Sequence, residues 1–387
     1  MGSIYLDHSA TTPMDPRVFE AMQPYYAEDF GNAASIHSFG QKARLAVEDA
    51  RAQVAELIGS KTNEIFFTSG GTESDNTALR GVVTGNRSKG NHIITTTIEH
   101  SAILKTCQQL EKEGFQVSYI PTDDQGLVKL NRLQKEIRAE TILISVMHGN
   151  NEIGVIEPIK EISTLAKEQG IYFHTDAVQT TGKILLDVQK LGVDLLSLSA
   201  HKFHGPKGIG ALYVRHNVQM DPLVYGGTHE RSRRAGTLNV AGIVGLGKAC
   251  TLAKMATDEL NTRVRSLRDQ LEKGILEKIE ETSVNGSTIH RLPHLSNISF
   301  RHLEGEALLI ALDFHGVAVS TGSACSSGVV EPSHVLIAIG TPPSLRNSAI
   351  RFSLSRMNTK EDISCLLQIL PPIVERIRKA SPLYRTG

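Results

Sequence analysis

The chain has 387 residues, 40% hydrophobic and 21% charged, with 41 Lys+Arg against 41 Asp+Glu. That length suits a soluble globular protein with room for two domains, and a formal net charge of zero excludes a chain built as a whole for nucleic acid or an acidic membrane surface. No apolar run approaches a membrane span, Met1–Asp7 lacks the basic and apolar regions of a secretory signal, and Cys107, Cys250, Cys325 and Cys365 form no CxxC pair, so no membrane, metal site or disulfide framework is expected and a reducing, cytoplasmic location is.

Short apolar strands alternate with amphipathic helices, the pattern of an α/β fold with a mainly parallel sheet. Residues 41–58 carry apolar positions at helical spacing, and Glu64–Thr68 reads as a strand that turns at Ser69-Gly70-Gly71-Thr72 into the next helix. Further strands are predicted at 92–95, 116–120, 141–147, 171–174, 195–198 and 211–214, with helices over 101–113, 130–138 and 158–169. After about residue 240 the pattern changes: 241–281 reads as one long helix, followed by strands at 296–301, 317–320 and 349–354 and helices at 306–314 and 360–379.

The centre of interest is Ser199-Ala200-His201-Lys202, at the end of a buried strand. A lone lysine on a loop is usually a solvated one. Here an acid, Asp176, closes another apolar run 26 residues upstream. A partly desolvated lysine offers a free amine to an aldehyde, and a buried Asp can keep a pyridinium nitrogen protonated, so the pair suits pyridoxal 5'-phosphate. The Gly71-Thr72 turn between strand and helix then suits the cofactor phosphate, because glycines admit an anion to a helix N-terminus. Alone it is a plain turn whose Thr72-x-x-Asp75 pattern predicts a capping box. Ser199 and His201 could add phosphate hydrogen bonds. His100, at a strand end, could stack on a flat ring and shuttle a proton, although it is one of 15 histidines. Gln179 could face a phenolic oxygen, or simply cap a helix. Asn151 could bond a cofactor ring oxygen or a substrate carboxylate, or merely form a turn.

Arg351 lies in an apolar strand and needs a partner. Either it forks onto an amino-acid carboxylate or it pairs with a carboxylate of the protein. Cys325 sits in Val319–Pro332, a run of small polar residues and glycines rather than the apolar surroundings of a packing cysteine, which points to a reactive thiol.

Taken together the chain resembles the NifS/IscS-like cysteine desulfurases of the class-V aminotransferase group. The likeness runs from Tyr5-Leu6-Asp7-His8-Ser9-Ala10-Thr11-Thr12-Pro13 through Gly71–Asn76, Glu99-His100, His148–Gly154, His174–Gln179, Ser199–Lys202 and Arg234–Thr237 to Gly322-Ser323-Ala324-Cys325. It implies the type I aminotransferase fold, with a large domain over 13–258 and a small domain from 1–12 and 259–387 carrying the cysteine loop at about 319–333. It implies that L-cysteine becomes L-alanine while sulfur leaves as a persulfide on Cys325 for an acceptor protein in iron–sulfur cluster, thio-cofactor, tRNA or DNA sulfur pathways. By the same resemblance Lys202 is the Schiff-base lysine, Asp176 the pyridinium partner, His100 the stacking and proton-transfer residue, and Gln179 the partner of the phenolic oxygen. Gly71, Thr72, Ser199 and His201 hold the phosphate, and Asn151 and Arg351 take the substrate carboxylate. Thr237 reaches the phosphate of a neighbouring subunit, which implies a homodimer with shared active sites.

Overall fold

The computed structural model describes residues 3–322 and 332–381. Among the described residues there are twelve strands: β1 (Ile4–Tyr5), β2 (Ile65–Thr68), β3 (His92–Thr96), β4 (Gln116–Ile120), β5 (Thr141–Ser145), β6 (Tyr172–Asp176), β7 (Leu195–Ser199), β8 (Gly210–Val214), β9 (Thr282–Val284), β10 (Leu295–Phe300), β11 (Val317–Ala318) and β12 (Ala349–Ser353). Seven form the central sheet in the order β2-β8-β7-β6-β5-β3-β4. All run the same way except β8, which is antiparallel to both β2 and β7. The strands β2, β3, β5, β7 and β8 are buried along their whole length and β6 from Phe173 onward, which explains their largely apolar character. Because the six co-directional strands end at one edge, their carboxyl ends and the turns that follow meet there, where open α/β sheets bind ligands.

The long helical stretch is not one regular helix. Val240–Glu259 and Arg265–Lys278 are α-helical, and Leu260–Val264 between them is a π-helical turn. That turn separates two packed cores. One draws on residues from Val18 to Ala253; the other joins Ile4 and Leu6 to residues from Leu260 to Val374. A smaller cluster, including Ile98, Met147, Ile153, Val335 and Leu336, lies between the sheet edge and the chain's C-terminal part. By length and composition Val240–Lys278 would qualify as a membrane-crossing helix, contrary to the reading from sequence, but 61% of its most apolar window is buried inside the protein, as expected of a core helix.

The N-terminal residues belong to the second core. β1 pairs in parallel with β11, matching Ile4 with Val317, and β12 pairs with β10, which pairs with β9. One further anchor steadies the first core. Arg51, 3% exposed, forms a bidentate 2.8 Å pair with Glu230, whose carboxylate also accepts the Phe67 N–H. Glu230, Arg231 and Ser232 all adopt left-handed backbone, at φ 45°, 55° and 63°, a state costing roughly 1–2 kcal/mol per non-glycine residue. The ion pair therefore holds a strained turn. Glu230→Ala removes the buried bidentate partner of Arg51 and leaves it only the more exposed Glu48, 3.2 Å from Nε, and should cost about 3 kcal/mol, read as a lower urea midpoint at unchanged slope.

Candidate active site

β7 ends at Ser199 and passes into a single 3-10 turn, Ala200–Lys202. That turn points the Lys202 amine back to the N-terminal segment, where Nζ donates to the carbonyls of Ser9 at 2.7 Å and Ala10 at 2.8 Å. Burial is the main reason its ammonium pKa falls to about 8, with the Arg351 guanidinium adding to the fall and Asp176 and Asp7 opposing it. β6 ends at Asp176, whose carboxylate accepts the Val178 N–H at 2.8 Å. Burial raises the Asp176 pKa against the pull of His100, that N–H and Lys202.

Lys202 and Asp176 border one cavity of about 190 Å³, together with Gly71, Thr72, His100, Asn151, Gln179, Ser199 and His201. Every cofactor-facing residue singled out in the sequence, other than Thr237, therefore meets at this edge. Thr237 is exposed and does not border the cavity of its own chain. Asp75, Met147 and Val178 complete the lining. Asp75 corrects one expectation: it closes no capping box with Thr72. The cap position is Gly70, at φ 152° and without a side-chain cap bond, while Asp75 is 1% exposed on the buried face of the helix Gly71–Gly85. Burial, and then the neighbouring Asp176, pushes the Asp75 carboxyl well up. The signal was present in the sequence, because Asp75 shares a helical face with Ala78, Leu79 and Val82.

His100 caps the helix Ser101–Lys112, its Nδ1 accepting the Ala102 N–H at 3.1 Å. Its ring is open at the cavity mouth, yet enough protein surrounds it that desolvation lowers its pKa, with Asp176 pulling the other way. His201 Nδ1 lies 3.1 Å from Thr11 Oγ1, and burial, reinforced by Lys202, lowers its pKa to about 4, which leaves the imidazole neutral. Gln179 is held by hydrogen bonds at both ends of its amide.

Arg351, 4% exposed, donates to the Asn151 carbonyl at 2.8 Å and pairs with Asp7 at 2.6 Å, while its Nε has no partner among the described residues. The internal ion pair weighed for Arg351 is thus present. Its partner could not be picked out along the chain, since 344 residues separate the two.

Cys325 lies outside the described residues. The flanks of its segment are both tied near the cavity. Ser320 exchanges backbone hydrogen bonds with Arg351, and His334 places Nε2 2.9 Å from the Glu99 carbonyl, next to His100. Of the other cysteines, Cys107 and Cys250 are buried and Cys365 is partly so. Burial raises the Cys107 thiol to about 12, so it is not a nucleophile at neutral pH.

The class-V aminotransferase family model matches residues 4–366. The chain belongs to that family. Class-V members are pyridoxal phosphate-dependent enzymes. Among class-V relatives, this chain is 52% identical to cysteine desulfurase IscS of Dictyoglomus turgidum, over 98% of this chain and 96% of the relative. It is 53% identical to cysteine desulfurase IscS of Methanosarcina thermophila, over 99% and 96%. A solved NifS-like protein superposes with a TM-score of 0.91 at 39% identity, covering 97% of this chain and all of that one. Another class-V structure, SspA in complex with cysteine, gives 0.82 at 36% identity, covering 91% and 99%. The α/β architecture with its mainly parallel sheet is the type I fold of these structures.

Proposed function

We propose that this protein is a cysteine desulfurase that holds pyridoxal 5'-phosphate in the cavity at the sheet edge and converts L-cysteine to L-alanine, passing the sulfur to Cys325. One observation carries the reading. A depressed lysine amine, a buried carboxylate and a helix N-terminus without a side-chain cap face the same cavity in a class-V chain.

The residues present fit the cofactor. Asp176 is an acid whose pKa is raised by burial, and a protonated ring nitrogen beside it would favour its charged form. Gly71, Thr72, Ser199 and His201 gather where helix N–H groups and hydroxyls would hold a phosphate. Lys202 would hold the aldehyde, His100 would lie on the ring and Gln179 would meet the phenolic oxygen. When bound, the cofactor supplies an aldehyde for the substrate amine and an electron sink for its α-carbon.

The chain's own groups supply the rest. Lys202, as a free amine, would take the α-proton of the substrate. Its pKa of about 8 keeps a good fraction neutral near physiological pH. Arg351 and Asn151 orient the substrate carboxylate, which competes with Asp7 for the guanidinium. The Cys325 thiolate attacks the substrate sulfur as the carbon–sulfur bond breaks, and His100 exchanges protons with the thiols. The products are a persulfide on Cys325 and alanine. A second copy of the chain would bring Thr237 to this site, and an acceptor protein would take the sulfur.

Two predictions follow from these groups. Arg351→Ala should raise the KM for cysteine by roughly tenfold or more, the size expected when a charge-assisted carboxylate contact is lost. An unchanged KM would leave Arg351 only its structural pairing with Asp7. In the apoprotein, Lys202 captures the aldehyde only as the free amine. The rate of cofactor uptake should therefore climb with pH up to about 8 and level off above it, as followed by stopped-flow absorbance. The reaction itself is tested by incubating cofactor-loaded protein with L-cysteine and a thiol reductant. Alanine and sulfide should accumulate in equal amounts over many turnovers. A keto acid without sulfide would instead mean transamination.

A further inference from the structure

Behind Gln179 lies a lysine that the chemistry above does not use. Lys183 is 5% exposed, and its Nζ lies 3.2 Å from Gln179 Oε1 and 3.1 Å from His294 Nε2. The charged and titratable groups that face it are Lys202, Arg351, His8, His201, His204 and His294. All are basic, and among the described residues no carboxylate figures in its electrostatic surroundings. Burial, followed by the charges of Lys202 and Arg351, drives its ammonium pKa well down. Burying a lysine without a counter-ion is costly for a surface-like purpose.

The geometry around Gln179 shows what this amine does. The Ser9 carbonyl can only accept, so the 3.0 Å contact from Gln179 fixes Nε2 on that side and Oε1 on the side of Lys183. The same Ser9 carbonyl also takes the Lys202 amine at 2.7 Å. Two lysines thus bracket one amide: Lys183 directly, and Lys202 through a shared backbone oxygen. With Oε1 engaged by Lys183 and one N–H spent on Ser9, Gln179 has one N–H left, and the residue borders the cavity. A donor on the carbonyl end of an amide also polarises its N–H groups and strengthens their donation.

We infer that Lys183 is a positioning residue, clamping the Gln179 amide so that its remaining N–H is presented to the phenolic oxygen of the bound cofactor. The inference rests on the cofactor reading above. Donation to that oxygen favours its deprotonated form. Loosening the amide should therefore raise the pH at which the visible band of the loaded enzyme changes.

The test is a pH titration of the visible absorbance of cofactor-loaded protein. Lys183→Met should move the transition upward by roughly half a pH unit or more, in the same direction as Gln179→Leu. In the Gln179→Leu background, Lys183→Met should add nothing. Lys183→Gln, smaller but still a donor, should fall between wild type and Lys183→Met. An unmoved transition in Lys183→Met, even with a lower melting temperature, would reduce Lys183 to a structural role, as would loss of soluble protein in both variants or an additive shift in the double variant. Wild-type protein that acquires no visible band with pyridoxal phosphate would instead overturn the cofactor reading, and this inference with it.

Discussion

Lys202→Ala abolishes turnover and the visible absorbance of the cofactor-loaded enzyme together. The amine that holds the aldehyde and the base that takes the α-proton are the same atom, so no neighbour inherits both tasks. Proton transfer by a positioned side chain contributes roughly 10²–10⁴-fold on its own. Lys183 is no substitute: its Nζ is engaged by Gln179 and His294, and it is absent from the cavity lining. The variant should still fold, because truncation removes only two bonds, to the Ser9 and Ala10 carbonyls. Steady-state sulfide release and a visible spectrum check both halves. Wild-type activity in this variant would overturn the assignment of Lys202.

Cys325→Ser has the opposite signature. Cofactor binding and the spectral response to added L-cysteine are retained, while sulfide release falls to background. A serine hydroxyl at neutral pH is not the nucleophile a thiolate is, and the hydroxyl cannot carry a persulfide. The remaining cysteines offer no replacement: Cys107 and Cys250 are buried, and the helix Lys360–Ala380 that carries Cys365 packs into the second core. Sulfide measured with a reductant in excess separates this from slow persulfide reduction. A wild-type sulfide rate would remove Cys325 from the chemistry.

Most of the central sheet was legible because its inner strands are buried and read as largely apolar runs, β3, β7 and β8 falling within one residue of their expected bounds; the partly exposed edge strand β4 also falls at its expected residues. The cavity residues were legible for a related reason. Strand ends are visible in sequence: Asp176 and Ser199 each close a strand, and His100 follows one. Features made by distant partners were not. β1 is two residues long and exists because β11 lies beside it. The π turn at Leu260–Val264 leaves helical spacing almost undisturbed, so the pattern reads straight through it. Lys183 looks like an ordinary solvated lysine until His294, 111 residues later, is placed against it. Asp75 was misread as closing a capping box because Thr-x-x-Asp is a local motif, although its helical spacing with Ala78, Leu79 and Val82 already placed it on the buried face.

The pairing of β1 with β11, and of the Leu6 carbonyl with the Ser353 N–H, has a consequence for biosynthesis. Residues 4–6 leave the ribosome long before the partners that hold them. At a translation rate of about 5–20 residues per second, the N-terminal strand waits on the order of tens of seconds for its neighbours. During that interval the carbonyls of Ser9 and Ala10 are not yet fixed around Lys202. The nascent chain can thus complete its central sheet well before it owns a finished lysine site, and assembly of that site is deferred until β11 and β12 have been made.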